Sequence, residues 1–356
     1  MPHDGDATGV ALFGATGYSG REAARLLAAH PHFRLRAAFG GPDRHGAPLS
    51  DLHPALRGLA DLPCEGFDDR GEPRGTAEDL AGRGIRFALL ATPEAVSMRL
   101  APALLDAGLR VVDLSGAFRL RQAAAYPDWY GFEHESPALL ERAAYGLTEW
   151  TRAQIGPAAL VANPGCYPSA ALLALLPLRR ADLVEPSAPV VVNAVSGASG
   201  AGRRLREDLL FCEVAGSIRP YGMPRHRHLA EIAAGAGLRP GDEVLFVPHL
   251  APIDRGILCS VTLRLRPEAG RDALAAAFAR AYDGAPFVRL LGEGALPATA
   301  DVRGTNACAI GWSREPGARH ATVFAAIDNL VKGAAGQAVQ NLNLMAGRSE
   351  SEGLPR

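Results

Sequence analysis

The chain has 356 residues, which is long enough for two domains that each bury a hydrophobic core. Apolar residues make up 48% and charged residues 21%, and the formal net charge of -1 gives no electrostatic reason to bind nucleic acid or an anionic membrane. No apolar run approaches the roughly 20 residues needed to cross a bilayer, and residues 1–9 lack the basic start of a secretory signal. We therefore expect a cytoplasmic protein that binds neither nucleic acid nor membrane.

The first half of the chain alternates short apolar strands with helices. Strands are predicted at residues 10–13, 33–39, 85–91 and 110–114, and helices at 21–30 and 95–107. Such alternation is typical of the α/β class and predicts a Rossmann-like, doubly wound parallel sheet. Residues 43–84 are rich in Pro, Gly, Asp and Arg, and are predicted to form loops over that sheet.

The second half has a different pattern, with longer connections. A helix is predicted at 169–178, just after Pro168, with strands at 190–195, 243–248, 257–266 and 322–327. This order favours an α+β domain with a mixed sheet. A helix is predicted at 332–345, and the tail after Gly347 is predicted to be disordered.

A glycine-rich turn, GATGYSG at 14–20, lies between the first strand and the first helix. Gly14, Gly17 and Gly20 would let the backbone approach a pyrophosphate closely, with Thr16 and Tyr18 between them, and the helix N-terminus offers N–H groups. The spacing is GxxGxxG rather than GxGxxG, so a purely structural turn remains an alternative. The turn predicts a dinucleotide site.

The second strand indicates which dinucleotide is bound. NAD-binding proteins usually place an acid at the tip of this strand to bind the ribose 2′-hydroxyl. Here the strand ends Ala-Phe-Gly-Gly at 38–41, and Arg44 and His45 follow. The absent acid and the nearby cation favour NADPH, although Asp43 could reverse that preference.

One of five cysteines has a reactive setting. Cys166 lies in NPGCYPS at 163–169, between a tight turn and a helix, where the helix dipole lowers a thiol pKa. A thiolate there could attack a carbonyl carbon. We interpret Cys64, Cys212, Cys259 and Cys308 as structural. No pair has CxxC spacing, so we expect neither a metal site nor a disulfide framework.

Three further features could bind anions or protons. His226 and His228 lie in RHRH at 225–228, where the arginines would keep a histidine neutral and able to act as a base; a solvated basic loop is the alternative. The loop from Ser196 to Arg203 has the hydroxyls, N–H groups and guanidinium that hold phosphate, unless it is a flexible linker. Lys332 is the single lysine among 37 basic residues, which indicates either a specific need for an ammonium group or chance.

These segments together resemble the N-acetyl-gamma-glutamyl-phosphate reductases, NADPH enzymes of arginine biosynthesis, along nearly the whole chain. The matching segments are GATGYSG at 14–20, VDLSGAFRL at 112–120, YGL at 145–147, NPGCYP at 163–168, SGASGAGR at 196–203, LFCEV at 210–214, HRH at 226–228, FVPHL at 246–250, RGI at 255–257 and DNLVKGAAGQAVQN at 328–341. The chain departs from the family pattern at residues 92–94, 116–117, 148 and 230, which affects loop shape and leaves Cys166 and His226 intact.

The resemblance implies a role for several residues. It makes Cys166 the nucleophile and His226 the acid/base residue, and it places Arg119, Ser196, Arg203 and His228 near the substrate. It puts Asn329 and Lys332 close to the cofactor, together with Gly14, Thr16, Gly17, Tyr18, Gly20 and Arg44. It also implies a dinucleotide-binding domain at 8–164, a catalytic and dimerisation domain at 165–328, and a C-terminal helix at 329–347 that packs back on the first domain.

The implied reaction is the reduction of an acyl phosphate to an aldehyde through a thioester on Cys166, in a homodimer or homotetramer. Two alternatives stay open. The same chemistry could act on an aminoadipyl phosphate attached to a carrier protein in lysine biosynthesis, since YGFEHESP at 130–137 and LHPALRG at 52–58 look something like that branch. A non-catalytic NADP-binding regulator could also have kept the fold.

Overall fold

A computed structural model describes residues 7–41, 44–67, 73, 75–270 and 272–356. The chain divides into two compact units, one of residues 1–164 and 334–354, the other of residues 165–333 and 355–356. Among the described residues no helix is both long and apolar enough to span a bilayer.

The described residues of the first unit form seven strands, namely β1 (Thr8–Phe13), β2 (Phe33–Phe39), β3 (Cys64–Glu65), β4 (Ile85–Leu90), β5 (Arg110–Asp113), β6 (Ala144–Tyr145) and β7 (Leu160–Ala162). Its helices are α1 (Tyr18–Ala28), α2 (Leu49–Leu52), α3 (Ala77–Gly82), α4 (Glu94–Asp106), α5 (Tyr126–Tyr130), α6 (Pro137–Arg142), α7 (Thr148–Ile155) and α12 (Gly336–Met345). The strands form one sheet in the order β3-β2-β1-β4-β5-β7-β6, and every neighbouring pair is parallel. The predicted doubly wound parallel sheet is confirmed.

The second unit contains β8 (Val190–Ser196), β9 (Arg219–Pro220), β10 (Val244–Leu250), β11 (Ile257–Arg264), β12 (Val288–Glu293), β13 (Cys308–Ser313) and β14 (His320–Ile327). Its helices are α8 (Cys166–Arg180), α9 (Phe211–Val214), α10 (Arg227–Ala236) and α11 (Ala273–Tyr282). The sheet order is β12-β13-β14-β11-β8-β10-β9, with parallel and antiparallel pairs, so the predicted mixed sheet is confirmed. Helix α8 packs on β11 and β14 and beside α10 and α11.

Two of the differences between the predicted and the observed elements are informative. Helix α8 begins at Cys166, three residues before the predicted start, so Pro168 lies inside its first turn. Proline is tolerated there because an N–H in the first turn has no partner within the helix. The region predicted as loops at 43–84 also contains α2, α3 and the short strand β3.

The C-terminal tail, predicted to be disordered, is ordered and bonded to its own unit. The Asn343 side chain donates to the carbonyl oxygens of Glu350 and Glu352, and Glu350 pairs with Arg152 at 2.8 Å. The buried His30 ring lies 3.1 Å from the Glu352 carbonyl oxygen. The prediction failed because Arg152 and His30 are distant from the tail in sequence, and the composition of a short polar tail does not reveal such partners.

Candidate active site

The glycine-rich turn after β1 uses its three glycines differently. Gly14 has φ +80° and an added Cβ would strike the Ala91 carbonyl oxygen, while a Cβ on Gly20 would strike that of Gly14. These two positions therefore need glycine for the turn itself. Gly17 has φ -82°, and a Cβ there would meet only ordinary contact, 3.6 Å from the Gly14 oxygen. Packing does not demand glycine at position 17, so we interpret this position as open space for a ligand.

Helix α1 begins at Tyr18 directly after that glycine. Its N-terminus has no side-chain cap and no acidic residue in the first turn. Uncapped N–H groups and the positive end of the helix dipole make such a terminus suitable for phosphate. Arg21 also lies in the first turn, with its guanidinium 5.6 Å from the Tyr18 ring centroid.

The tip of β2 lies beside this turn. A Cβ on Gly40 would meet the Thr16 methyl group at 2.6 Å and Cys64 Sγ at 2.7 Å, and the Arg44 Cβ is within 3.5 Å of the same point. The structure thus brings Thr16 and the exposed Arg44 together at this edge of the sheet. Asp43, which could have opposed the NADPH assignment, lies outside the described residues.

Arg119 lies at the carboxyl ends of β5 and β7. Its guanidinium donates to the carbonyl oxygens of Asn163, at 2.9 Å, and Leu114, at 2.7 Å. The Asn163 side chain accepts a hydrogen bond from Asn341 at 3.0 Å and donates to the Ala334 carbonyl oxygen. Arg119 is half-buried at this edge, and its predicted contact with substrate stays a prediction.

Cys166 is the first residue of the 15-residue helix α8 and is partly exposed. The first turn of α8 carries no acidic residue, and Arg179 and Arg180 lie in its last turn. The positive end of the helix dipole at Cys166 is therefore not offset by an acid in the same turn. This placement favours the thiolate. Gly333 packs against Cys166, since a Cβ there would lie 2.8 Å from that of Cys166.

His226 is the N-cap residue of α10. Its ring accepts a hydrogen bond from the His228 backbone N–H through Nδ1 at 3.1 Å, so the neutral ring carries its proton on Nε2. Burial, helped by the charge of Arg227, lowers the pKa of His226 to about 4. The imidazole is therefore neutral near pH 7, as the flanking arginines predict.

Two tyrosines connect the surroundings of Cys166 and His226. Their rings meet the His226 ring edge-on, with centroids at 6.0 Å for Tyr167 and 5.5 Å for Tyr221. Tyr221 donates to the Tyr167 hydroxyl at 3.1 Å, and Tyr167 donates to the His249 carbonyl oxygen at 3.3 Å. Burial raises the pKa of Tyr221 to about 12, and burial also raises the pKa of Tyr167; the Cys166 charge adds to both shifts. Tyr167 follows Cys166 directly in the chain, so the residue next to the cysteine packs on the His226 ring.

His228 lies on the buried side of the cluster that His226, Tyr167 and Tyr221 form. It is only 6% exposed, and its ring centroid lies 4.8 Å from that of His226 and 5.8 Å from that of Tyr167. Phe246 contacts His226 from the sheet, with centroids 5.4 Å apart.

The loop after β8 is held by hydrogen bonds to neighbouring segments and is not a flexible linker. Ser196 is buried, and its hydroxyl donates to the Gly197 carbonyl oxygen at 3.1 Å. The Asn329 side chain donates to the Ser199 hydroxyl at 3.0 Å and accepts from the Gly256 N–H at 2.6 Å. Arg203 is exposed at the end of the loop.

Lys332 lies in the π-helical turn Val331–Ala335 that leads into α12. Its side chain is completely buried, and Nζ lies 5.8 Å from the centroid of the Phe287 ring. Asn329, three residues earlier, bonds within the loop network described above. The predicted cofactor contacts of both residues stay predictions.

The remaining cysteines divide into two groups. Burial raises the pKa of Cys64 to about 11 and that of Cys259 to about 12, and Cys308 is also buried, so these thiols are poor nucleophiles near neutral pH. The structural interpretation is wrong for Cys212, because its side chain is exposed on α9. Its apolar sequence neighbours are also exposed, Phe211 by 84%.

Comparison with known proteins agrees with this arrangement. A family model described as semialdehyde dehydrogenase, NAD binding domain, matches residues 9–158, and one described as semialdehyde dehydrogenase, dimerisation domain, matches residues 166–329. The N-acetyl-gamma-glutamyl-phosphate reductase of Escherichia coli O157:H7 is 44% identical over 96% of this chain and 98% of its own. Those of Halorhodospira halophila and Geobacter sp. strain M21 are 44% and 42% identical, over 97% of both chains.

The chain belongs to the N-acetyl-gamma-glutamyl-phosphate reductase family. Among solved structures, aspartate semialdehyde dehydrogenase II of Vibrio cholerae, complexed with ASA, has a TM-score of 0.70 at 17% identity and covers 96% of this chain and 98% of its own. The Candida albicans aspartate semialdehyde dehydrogenase with NADP has a TM-score of 0.68 at 14% identity, with the same coverage. Identities this low show the shared fold.

Sequence reasoning missed several residues around the reductase-family cysteine. The matching segments include Tyr167 and Gly333 but predict no role for them, and Tyr221 and Glu231 lie outside those segments. Glu231 accepts a hydrogen bond from the Gly165 N–H at 2.8 Å. The one signal in the sequence is an acid inside the apolar run LAEIAA at 229–234, since a carboxylate among core-facing residues needs a partner.

Proposed function

We propose that the protein reduces N-acetyl-gamma-glutamyl phosphate to N-acetylglutamate semialdehyde, using NADPH and releasing phosphate. The observation that carries this proposal is the position of Cys166 at the first residue of α8, where the adjacent Tyr167 packs edge-on against His226 and accepts a hydrogen bond from Tyr221. Relatives that are named for this reaction align with the chain over nearly their full length.

The first unit has the features that an NADPH site needs. The uncapped N-terminus of α1, with Gly14, Thr16, Gly17, Tyr18 and Gly20, would hold the pyrophosphate. Arg44, beside Thr16 at the tip of β2, would bind the 2′-phosphate. Asn329 and Lys332 are further proposed cofactor residues, on the resemblance alone. When bound, NADPH supplies the hydride that reduces the acyl group.

The acylation step depends on Cys166. Its thiolate attacks the carbonyl carbon of the acyl phosphate, the C–O bond to phosphate breaks, and a thioester remains on sulfur. The dipole of α8 stabilises the thiolate, and backbone N–H groups in the first turn would stabilise the carbonyl oxygen as it becomes negative. Pro168 contributes no N–H, which leaves this role to Cys166 and Tyr167.

The release step depends on His226. After the thioester carbonyl has accepted the hydride, the oxyanion collapses to the aldehyde and the C–S bond breaks. His226 is neutral and carries its proton on Nε2, because Nδ1 accepts from the His228 N–H, and this Nε2–H would donate a hydrogen bond to the sulfur, which leaves as a thiolate. Because Nδ1 is engaged, the ring would act toward Cys166 as a hydrogen-bond donor from Nε2.

Four residues are proposed to bind the substrate. Arg119 and Arg203 would pair with its phosphate and carboxylate, because guanidinium groups bind such anions through two parallel hydrogen bonds. Ser196 and His228 are both buried beside Tyr167, so they would orient the acyl group near Cys166.

The test is an assay of NADPH oxidation with synthetic N-acetyl-gamma-glutamyl phosphate, with aminoadipyl phosphate on its carrier protein as the competing substrate. We expect turnover with the first and at most a trace with the second. Preference for the carrier-bound substrate would move the protein to the lysine branch. Tight NADPH binding with no turnover of either substrate would support the alternative that the protein is a non-catalytic NADP-binding regulator.

We further propose a homodimer or homotetramer that works in the cytoplasm. The family model that covers 166–329 describes a dimerisation domain. Residues 205–223 expose large apolar side chains, among them Leu205 (97%), Phe211 (84%) and Ile218 (65%), an arrangement that favours a protein partner. Light scattering on the purified protein tests this, and a monomer at micromolar concentration would contradict it.

A further inference from the structure

The turn that precedes Cys166 is held by a buried carboxylate. Glu231 Oε1 accepts a hydrogen bond from the Gly165 backbone N–H at 2.8 Å, and Glu231 is 1% exposed. Gly165 is the N-cap residue of α8, with φ -66° and ψ 156°, and it has no side chain with which to cap the helix. The bond therefore acts on the backbone immediately before the nucleophile.

The same turn is fixed on its other side by α8 itself. The Ser169 hydroxyl donates to the Gly165 carbonyl oxygen at 3.0 Å, and the Ser169 N–H donates to the same oxygen at 2.9 Å. Both polar groups of the Gly165 backbone are thus bonded, the carbonyl within the helix and the N–H across to Glu231. Without Glu231 the N–H would lose the acceptor that α8 cannot provide, since a buried N–H needs a partner.

Glu231 also connects the nucleophile to the imidazole. It lies on α10, whose N-cap residue is His226, and the bond to Gly165 spans 66 residues of sequence. A helix is rigid over five residues, so the bond sets the position of the Cys166 turn relative to the N-terminus of α10. Gly333 leaves the room that this close arrangement requires.

We propose that Glu231 is a positioning residue, whose carboxylate oxygen holds the turn before Cys166 so that the sulfur lies over the α8 N-terminus and at a fixed separation from His226. This inference rests on the proposed function in taking Cys166 as the nucleophile. The necessary property is an acceptor oxygen at that place, and the negative charge is secondary.

Three substitutions separate these properties. Glu231→Gln keeps an acceptor oxygen at the same reach and removes the charge. Glu231→Asp keeps the charge and withdraws the oxygen by one methylene group. Glu231→Met keeps the length and removes the acceptor. Glu149→Met is the matched control, because Glu149 is also a buried carboxylate, at 7% exposure, that accepts a side-chain hydrogen bond, from Gln340, in the other unit.

The first readout is the alkylation rate of Cys166 by iodoacetamide as a function of pH, followed by peptide mass spectrometry, with Cys212 as the internal reference. A thiol that moves off the helix N-terminus loses the dipole that lowers its pKa. We expect Glu231→Met and Glu231→Asp to shift the profile to higher pH and to slow alkylation about tenfold near pH 7, whereas Glu231→Gln and Glu149→Met match the wild type.

The second readout is the kinetics of acyl-phosphate reduction. We expect Glu231→Met to lower kcat about 100-fold while KM and the NADPH dissociation constant stay within about threefold, because a displaced nucleophile affects the chemical step. Glu231→Gln should stay within about fivefold of the wild type. An unchanged alkylation profile in Glu231→Met would overturn the proposal, and so would a Glu231→Gln protein as impaired as Glu231→Met.

If Glu231→Met does not fold, the comparison of Glu231→Gln with Glu231→Asp tests the proposal. An active Gln variant with an impaired Asp variant supports the positioning role, and the reverse order refutes it. Alkylation needs no substrate, so a wild-type protein that fails to reduce the acyl phosphate would refute the proposed function and still leave the role of Glu231 to be decided by the thiol profiles.

Discussion

Helices α1 and α8 begin in similar ways and are prepared for different chemistry. Each follows a glycine N-cap in extended conformation, Gly17 with ψ 172° and Gly165 with ψ 156°, and neither has a side-chain cap or an acid in its first turn. Each first turn thus leaves N–H groups and a positive dipole end available. In α1 these groups suit a bound phosphate, and in α8 they suit the sulfur of the helix's own first residue.

The two sites differ in what holds them. The turn before α1 is formed by near neighbours, with Gly14 and Gly20 packed on each other. The turn before α8 depends on residues far along the chain, namely Glu231 and Gly333. Phosphate binding needs only close approach of the backbone, whereas a nucleophile must also be held beside the group that donates a hydrogen bond to it.

The largest expected effect is a loss of the chemical step at the α8 site, with NADPH binding at the α1 site unchanged. Cys166→Ser should lower kcat by at least about 1000-fold, because serine is a far weaker nucleophile when no base activates it, and NADPH affinity should not change. Steady-state kinetics and a fluorescence titration with NADPH measure the two quantities. Cys212→Ser, which alters an exposed thiol on α9, is the control and should retain full activity. Turnover of Cys166→Ser within about tenfold of the wild type would eliminate the thioester mechanism.

The next effect sharpens the comparison within the α1 turn. Gly17→Ala should fold normally, since its backbone and surroundings accept a Cβ, and should weaken NADPH binding about tenfold or more by filling the ligand's space. Gly14→Ala should instead destabilise the protein by roughly 1–3 kcal/mol, because φ is +80° and the Ala91 carbonyl oxygen blocks the new methyl group. Thermal unfolding and NADPH titration of both variants check this. Equal melting temperatures for the two variants would contradict the distinction between the glycines.

The elements that could be predicted are those whose signal is local. The bounds of β2, Phe33–Phe39, agree with the sequence pattern, and the glycine-rich turn is where the spacing predicts it. The mixed sheet of the second unit followed from the order of its apolar runs. Alternation of apolar residues and turn chemistry are properties of a few consecutive residues, so they can be read along the chain.

What could not be predicted depends on contacts between distant residues. The Glu231 bond to Gly165 and the Tyr221 bond to Tyr167 join segments more than 50 residues apart. The tail after Gly347 looked too polar to fold, yet Asn343 and Arg152 bind it. Cys212 lay in an apolar sequence and is exposed, because apolar composition does not reveal which surface a short helix presents.

A smaller effect tests the cofactor preference of the α1 site. Arg44→Ala should raise the NADPH dissociation constant about tenfold by removing the cation from the tip of β2. The NADH constant should stay within about twofold, since NADH has no 2′-phosphate, and so NADH acts as the internal control. Titration of the wild type and the variant with both nucleotides measures the change. A parallel loss of affinity for both nucleotides would mean that Arg44 supports the loop and does not recognise the phosphate.

The smallest expected effect concerns the ionisation of His226, the residue proposed to donate a hydrogen bond at the α8 site. Burial and then Arg227 lower the pKa of His226 from 6.5 to about 4. The ring is therefore neutral throughout the range above its lowered pKa, and protonation below it would add a proton to Nδ1 and break the bond from the His228 N–H. The unfolded chain binds this proton more readily, so the stabilising contribution is complete above pH 6.5 and is lost as the pH falls through about 4.

Wild-type kcat should consequently show no ionisation of this histidine near pH 6.5. Arg227→Gln should move the acid limb of the kcat profile upward by a fraction of a pH unit, because burial, the larger cause, remains. A wild-type acid limb that is centred near pH 6.5 and disappears in His226→Asn would show that the imidazole titrates in water, away from Tyr167 and Tyr221.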